Sequence, residues 1–248
     1  MKATLGNSVL IIPAYNEEAS LPTMLGEVRR HLPGLLVVVI NDGSQDRTAD
    51  IARREGAIVL NLPCNIGVGG AVQAGIRYAY EKGYRFLIRC DGDGQHPPSE
   101  IPKLVETMNR TDVDLVIGSR FLGEREYTST FMRNCGIRLL AAALSLSCRK
   151  RVTDPTSGFQ MMNRRLMHVF ASDYPVEYPE PEALALIRRH GYEFAEVAVP
   201  FRERLAGKSS IAGWGTLYFV VKVFLALIID RMRPVDARLD RRCLKDEE

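Results

Sequence analysis

The chain has 248 residues, 46% hydrophobic and 25% charged, with 33 basic and 30 acidic side chains giving a formal charge of +3. That composition excludes a disordered chain and allows one substantial core. The near balance of charge gives no ground for a nucleic-acid surface, and five cysteines without a C-x-x-C pair indicate neither a disulfide framework nor a zinc site.

In chain order, "SVLII" reads as a first strand; its apolar run, Val9 to Ile12, is too short for a signal peptide, so a cytoplasmic chain is expected. A helical pattern follows in "SLPTMLGEVRRHL", with Ser20 ahead of Pro22 as its start signal. The strand "LLVVVI" leads to the helix "RTADIARREG", closed at Gly56, and the strand "AIVLNL" to the helix "GAVQAGIRYAYEKG", closed at Gly83. Next come the strand "YRFLIR", the helix "SEIPKLVETMNR" opening at Ser99, the strand "DLVIG" and, much later, the strand "YEFAEVAVPF". Nearly continuous apolar strands alternating with helices imply burial on both faces, hence an α/β fold with a mostly parallel sheet.

Ligands of open α/β sheets bind where strands end. The polar and glycine-rich motifs fall there: "PAYNEE" (13–18), "NDGSQDRT" (41–48), "CNIGVGG" (64–70), "DGDGQH" (91–96) and "GSR" (118–120). Five such exits make one shared pocket the economical reading. Residues two apart in extended backbone point the same way, so Asp91 and Asp93 can converge on a hard divalent cation, with the Gln95 carbonyl as a third oxygen. A metal bridging a diphosphate would relieve their mutual repulsion, although a solvated Asp-Gly turn explains the same residues. An EF-hand is excluded by His96 and Pro102 at its glycine and glutamate positions; "GVGGAV" lacks the third glycine of a dinucleotide fingerprint and "RERLAGKS" the first of a P-loop. Asn65, Gly67, Gly69 and Gly70 stand at a strand-to-helix junction, where backbone amides could approach a ligand or the glycines could serve a tight turn.

Together, in this order, "PAYNEE", "NDGSQDRT", "NIGVGGA", "DGDGQHPP", "GSR" and "TDPTSGF" resemble the GT-A glycosyltransferases of family 2 over residues 8 to 210. The segments "DPTSGF" and "RERLAGKSSI" are most similar to the dolichyl- and undecaprenyl-phosphate sugar transferases. The resemblance implies a GT-A domain over residues 1–212, a nucleotide-diphosphate-sugar donor, commonly a UDP-sugar, and inversion at the anomeric carbon. By motif, Pro13, Ala14, Tyr15, Glu17, Asp42, Asn65, Gly67 and Gly92 would surround the nucleotide, and Asp91, Asp93 and Gln95 would hold Mg or Mn. Asn41 stands where many members carry another aspartate.

Anionic donor and acceptor call for cations, and Arg120, Arg133, Arg204 and Lys208 are the candidates; Arg120, Arg204 and Lys208 match family phosphate positions. A lipid phosphate acceptor, with a second pKa near roughly 6, is ionised at neutral pH and needs no general base. A sugar hydroxyl would need one, for which Asp154, Glu180 and Glu182 are available, with Asp154 and Glu182 in the acceptor-side segments. The expected activity is transfer of sugar to a polyprenyl phosphate; the alternatives are a polysaccharide glycosyltransferase acting on a hydroxyl, and a noncatalytic sugar-nucleotide sensor or scaffold.

After the last strand, residues 213–234 hold the apolar stretch Trp214 to Ile229, interrupted by Lys222 and flanked by Arg231 and Arg233. It is shorter than the roughly 18–20 residues of a membrane span. An interfacial helix on the cytoplasmic face, a helix docked on a small membrane protein, a core helix and a homo-oligomer contact are the readings it allows. Residues 235–248 form a polar, charged tail.

Overall fold

Strand β1 (Ser8–Ala14) is buried along its whole length, as its apolar run from Val9 requires. Its side chains alternate: Val9 and Ile11 enter one hydrophobic core, Leu10 and Ile12 the other. Strand β2 (Leu36–Asn41) does the same, with Val38 and Ile40 on the first side and Val39 on the second. Each fully buried Leu, Ile or Val contributes about 1.5–3 kcal/mol, so two covered faces make this sheet the main source of stability.

The structure is a computed structural model that describes residues 2–123 and 131–203, with Lys222 and Leu225 beyond them. The strands β3 (Ile58–Asn61), β4 (Phe86–Arg89), β5 (Leu115–Ser119), β6 (Gln160–Asn163) and β7 (Phe194–Ala198) complete a sheet of order β3-β2-β1-β4-β6-β5-β7. One face carries α3 (Gly67–Glu81), α5 (Phe131–Cys148), α6 (Arg164–Ser172) and α7 (Pro179–Arg189); α1 (Leu21–His31), α2 (Thr48–Arg54) and α4 (Ile101–Arg110) contribute to the other core. Gly75 lets α3 lie close, since a Cβ there would come 2.9 Å from Ile40 Cδ1 and 3.0 Å from Ile11 Cδ1.

The sheet is mixed, and this refines the mostly parallel expectation. Pairs β1–β2, β1–β4, β2–β3 and β5–β7 are parallel, whereas β6 runs antiparallel to both β4 and β5. The sequence hides β6 because "QMMN" has two methionines between polar ends and no β-branched residue. Its reversed direction matters for the site: the segment 154–159 enters β6 at the edge where β1, β4, β5 and β7 leave the sheet. Strand order reverses at β1, with β2 on one side and β4 on the other, which opens the crevice where α/β proteins bind ligands.

Helix α1 begins after Ser20 as expected, although the Ser20 hydroxyl bonds back to Glu17 and not to the helix. The turn Pro98–Glu100 is a short 3-10 segment, so the expected start at Ser99 shifts to Ile101. Among the described residues, no helix is long and apolar enough to cross a membrane. The expected 213–234 helix lies outside the described residues, except that Lys222 Nζ pairs with Glu177 Oε2 at 2.5 Å.

Candidate active site

The strand exits are tied together by direct contacts. Gly92, after β4, packs on the end of β1: a Cβ there would lie 3.2 Å from the Pro13 carbonyl, 3.4 Å from Glu17 Cγ and 3.6 Å from Ala14 Cβ. The Asp42 amide donates to the Ala14 carbonyl at 2.9 Å, joining the β1 and β2 exits. Gly43 adopts φ +69° and abuts Cys64 and Asn65, where a Cβ would come within 2.7 Å of backbone; no other residue fits. The carbonyl of Gln95 accepts from the Arg202 amide at 3.0 Å, bringing the chain after β7 onto the β4 exit.

Asp42 is 3% exposed, and its carboxylate accepts the amides of Ile66 at 2.8 Å and Gly67 at 3.0 Å. The Gly67 amide is shared with Asn65 Oδ1 at 3.1 Å. These amides, expected at a ligand, are thus turned onto Asp42, which builds the glycine turn ahead of α3. Gly69 has a packing role: a Cβ there would sit 2.3 Å from the Val176 carbonyl, so the loop between α6 and α7 crosses over the start of α3. Tyr15 remains 44% exposed at the rim, and the Glu17 carboxylate accepts the Ser20 hydroxyl.

At the β4 exit, Asp93 Oδ1 accepts the Gln95 amide at 3.0 Å across Gly94, whose φ is +78°. Asp91 is held by residues that sequence reasoning missed. Arg89, 1% exposed, places its Nη2 3.1 Å from Asp91 Oδ1 and 2.8 Å from Glu180 Oε1 in the first turn of α7, with Nη1 3.4 Å from the Tyr174 hydroxyl. Burial alone would lower the Arg89 pKa, but the charges of Asp91 and Glu180 outweigh it and raise it, so the guanidinium stays charged. Gly158 leaves the room this requires: a Cβ would lie 2.6 Å from Asp91 Oδ2 and 3.0 Å from Arg89 Nη2. The available signal was an arginine inside the apolar run "RFLIRC", two residues before Asp91 and therefore on its side of the strand.

His96 Nδ1 accepts the Asp91 amide at 3.0 Å, which leaves the proton on Nε2, 3.8 Å from Asp91 Oδ2. Its ring stacks on Phe159 at 5.2 Å and meets the edge of Phe201 at 4.8 Å. Burial holds its pKa below the ordinary value despite the charges of Asp91 and Asp93.

The β5 exit meets the "TDPTSGF" segment through a buried ion pair. Arg120 gives Asp154 three bonds, from its amide at 3.1 Å, Nε at 2.7 Å and Nη2 at 2.6 Å, and a fourth to Thr156 Oγ1 at 2.7 Å. The Phe201 ring lies 5.0 Å from the guanidinium. Behind the pair, Glu196 of β7 accepts the amides of Thr153 and Asp154, and burial pushes its pKa up. Glu180 and Glu182 both occupy the first turn of α7, where acidic side chains complement the helix dipole. Arg204 and Lys208 lie outside the described residues, as does the side chain of Arg133.

A cavity of about 580 Å³ opens at the opposite edge of the sheet, lined by Arg85, Arg110, Arg164 and Arg165 among others. There Arg164 donates to the Tyr80 and Tyr84 carbonyls at the end of α3, and Arg165 pairs with Asp114. Those charges complement helix and strand ends and are remote from the motifs.

Comparison with known proteins identifies the family and the fold. The chain is 33% identical to the undecaprenyl-phosphate mannosyltransferase of Micrococcus luteus over 92% of its length and 97% of that protein. It is 31% identical to a dolichyl-phosphate hexose transferase of Haloferax volcanii, covering 84% and 88% of the two chains. Its fold matches glucosyl-3-phosphoglycerate synthase of Mycobacterium tuberculosis, crystallised with Mn2+, UDP and glucosyl-3-phosphoglycerate, with a TM-score of 0.70 at 22% identity over 92% and 81% of the chains. The model of glycosyl transferase family 2 matches residues 9–170, so the chain belongs to that family and is a glycosyltransferase of the GT-A fold.

Proposed function

We propose that this enzyme moves a sugar from a nucleotide diphosphate, with UDP as the expected carrier, to a polyprenyl phosphate at the cytoplasmic face of a membrane. The observation that carries the choice of acceptor is the state of the carboxylates. Asp154 and Glu180 are each bound to a buried arginine, Arg120 and Arg89. Their oxygens are engaged by guanidinium groups, whereas an ionised phosphate acceptor needs no base. Relatives spanning nearly the whole chain carry polyprenyl-phosphate names, which supports the same reading.

The residues fit a divalent cation, Mg or Mn. Among the described residues, no cluster of three or more His, Cys, Asp or Glu side chains forms a closed cage. Asp91 and Asp93 would instead supply the partial donor set typical of a hard cation completed by substrate phosphates and water. Asp91 and Asp93 would hold the ion, with the Gln95 carbonyl beside them; when bound, it stabilises the leaving diphosphate.

The remaining work falls to the chain. Tyr15, Pro13, Ala14, Glu17 and Gly92 line the crevice for the nucleoside, and Asp42 holds the Asn65–Gly67 turn that closes it. A phosphate oxygen of the acceptor attacks the anomeric carbon, the bond from that carbon to the diphosphate oxygen breaks, and the nucleoside diphosphate leaves with the electron pair; attack from the opposite face inverts the centre. Arg120, its charge offset by Asp154, would shape the acceptor side of the pocket, and Arg204 and Lys208 would bring the positive charge that the phosphates need. Glu182 would position the acceptor. The 213–234 segment brings the domain to the membrane surface, alone, as a homo-oligomer or through a small membrane protein.

The test is incubation with labelled sugar nucleotides and liposomes containing polyprenyl phosphate, followed by lipid extraction. Label should enter the lipid phase with one donor, and EDTA or Asp93→Asn should reduce it by about 100-fold or more. Full transfer in excess EDTA would remove the metal from the mechanism, and label confined to polymer would favour a sugar hydroxyl as acceptor.

A further inference from the structure

We propose that Arg89 is a positioning residue and that, with Glu180, it sets the affinity of Asp91 for its cation, linking the donor site to the acceptor-side helix α7. The inference rests on the reading of Asp91 and Asp93 as metal ligands.

The argument begins from charge. Arg89 is among the largest nearly inaccessible side chains, and its Nη2 touches one carboxylate from the β4 exit and one from α7. One guanidinium between two carboxylates leaves the trio at a net charge of −1. Asp91 therefore keeps attraction for a cation even though its Oδ1 is already bonded to Arg89. Without the Glu180 charge, the same arginine would have Asp91 as its only carboxylate in the trio, the net charge would be zero, and a cation would have to compete with an undivided ion pair. With the Asp91 side chain 32% exposed and that of Glu180 17%, such a change is only partly screened.

Packing fixes the arrangement. Gly158 fits against both Asp91 and Arg89 with no space for a methyl group, and the Tyr174 hydroxyl lies 3.4 Å from Nη1 on the far side. The guanidinium cannot swing away from either carboxylate without repacking. Glu180 never needs to touch the metal; it acts through Arg89. Because Glu180 lies in the first turn of α7, any movement of that helix changes the charge balance at Asp91.

An ion pair that only fastens α7 to the sheet would affect melting temperature and nothing at the metal. Mn2+ affinity separates the two. Free Mn2+ is titrated by electron paramagnetic resonance against full-length protein saturated with a nucleoside diphosphate, UDP and GDP being tried in turn. Glu180→Gln should weaken Mn2+ binding by about three- to tenfold, the size of effect expected for one unit of charge in a partly screened site. The double variant Arg89→Met/Glu180→Gln returns the trio to −1, with partly exposed Asp91 as its only charge, so it should fold and recover most of the affinity. In turnover, it should still show a raised KM for lipid acceptor, because α7 is no longer fastened to the donor strand. Wild-type affinity in Glu180→Gln would overturn the inference while leaving the metal reading intact. Failure of the wild type to bind Mn2+ more tightly than Asp93→Asn would overturn the metal reading, and the inference with it.

Discussion

Asp154 and Arg120 are each other's main partner: the carboxylate accepts three bonds from one arginine, and both side chains are nearly inaccessible, at 0% and 6%. The sequence suggested separate tasks, acceptor handling for one and phosphate binding for the other. Paired, they form a single fixed unit joining the β5 exit to the lead-in of β6. Asp154→Ala should lower the unfolding free energy by about 3–5 kcal/mol, because it strands a buried charge. Arg120→Met/Asp154→Leu should regain much of that stability in urea titrations yet remain inactive. Equal stability of all three proteins would show that the pair is not buried in solution.

Gly158→Ala tests the site from the opposite side. A Cβ 2.6 Å from Asp91 Oδ2 forces that carboxylate to move. Overpacking of this kind costs about 1–3 kcal/mol, and a displaced site residue can cost roughly 100-fold in rate. The fold should survive while kcat/KM drops well over tenfold. Unchanged kinetics would mean that the position of Asp91 does not govern the reaction.

How much of this was legible in the sequence follows from which interactions are local. The α/β alternation was readable because β1, β2 and β4 carry apolar residues for both faces, and Gly56 and Gly83 end α2 and α3 between them. The aspartates were readable because glycines bracket them at a strand end. Strand β6 escaped notice for want of β-branched residues, and with it went the reversal that delivers Asp154 and Gly158 to the edge where the motifs lie. The Arg120–Asp154 bond joins residues 34 apart and the Arg89–Glu180 bond joins two separate elements, so neither spacing nor periodicity could pair them. Arg89 was overlooked as the polar end of a strand, although its burial makes it central.

Acid should weaken the β4 exit through His96. Its folded pKa lies below the ordinary 6.5, so the unfolded chain takes up the proton first. The stability it contributes is complete above 6.5 and is lost as pH falls from there toward the folded value. His96→Asn, which retains an acceptor for the Asp91 amide, should be less stable at neutral pH but should flatten that slope. The measurement is unfolding free energy across this range; identical slopes for both proteins would exclude His96 as the titrating group.

Removal of the residues after Ser210 separates the domain from its proposed membrane contact. The shortened protein should still bind nucleoside diphosphate with metal, lose most transfer to polyprenyl phosphate in liposomes, and recover part of it with a short, water-soluble isoprenyl phosphate. Loss of folding on truncation would place residues 211–248 in the core or in a dimer contact.

The central claim is that the sugar ends on a lipid phosphate oxygen, and the chemistry of the product tests it most directly. Protein is incubated with its donor, carrying 13C at the anomeric carbon, and with polyprenyl phosphate; the lipid product is then purified and examined by phosphorus-coupled 13C spectroscopy and by mild acid. The expected result is an anomeric carbon coupled to one phosphorus, with the configuration inverted relative to the donor, and release of the free sugar in mild acid. A product whose anomeric carbon shows no phosphorus coupling and withstands mild acid would contradict the account and assign the acceptor to a hydroxyl.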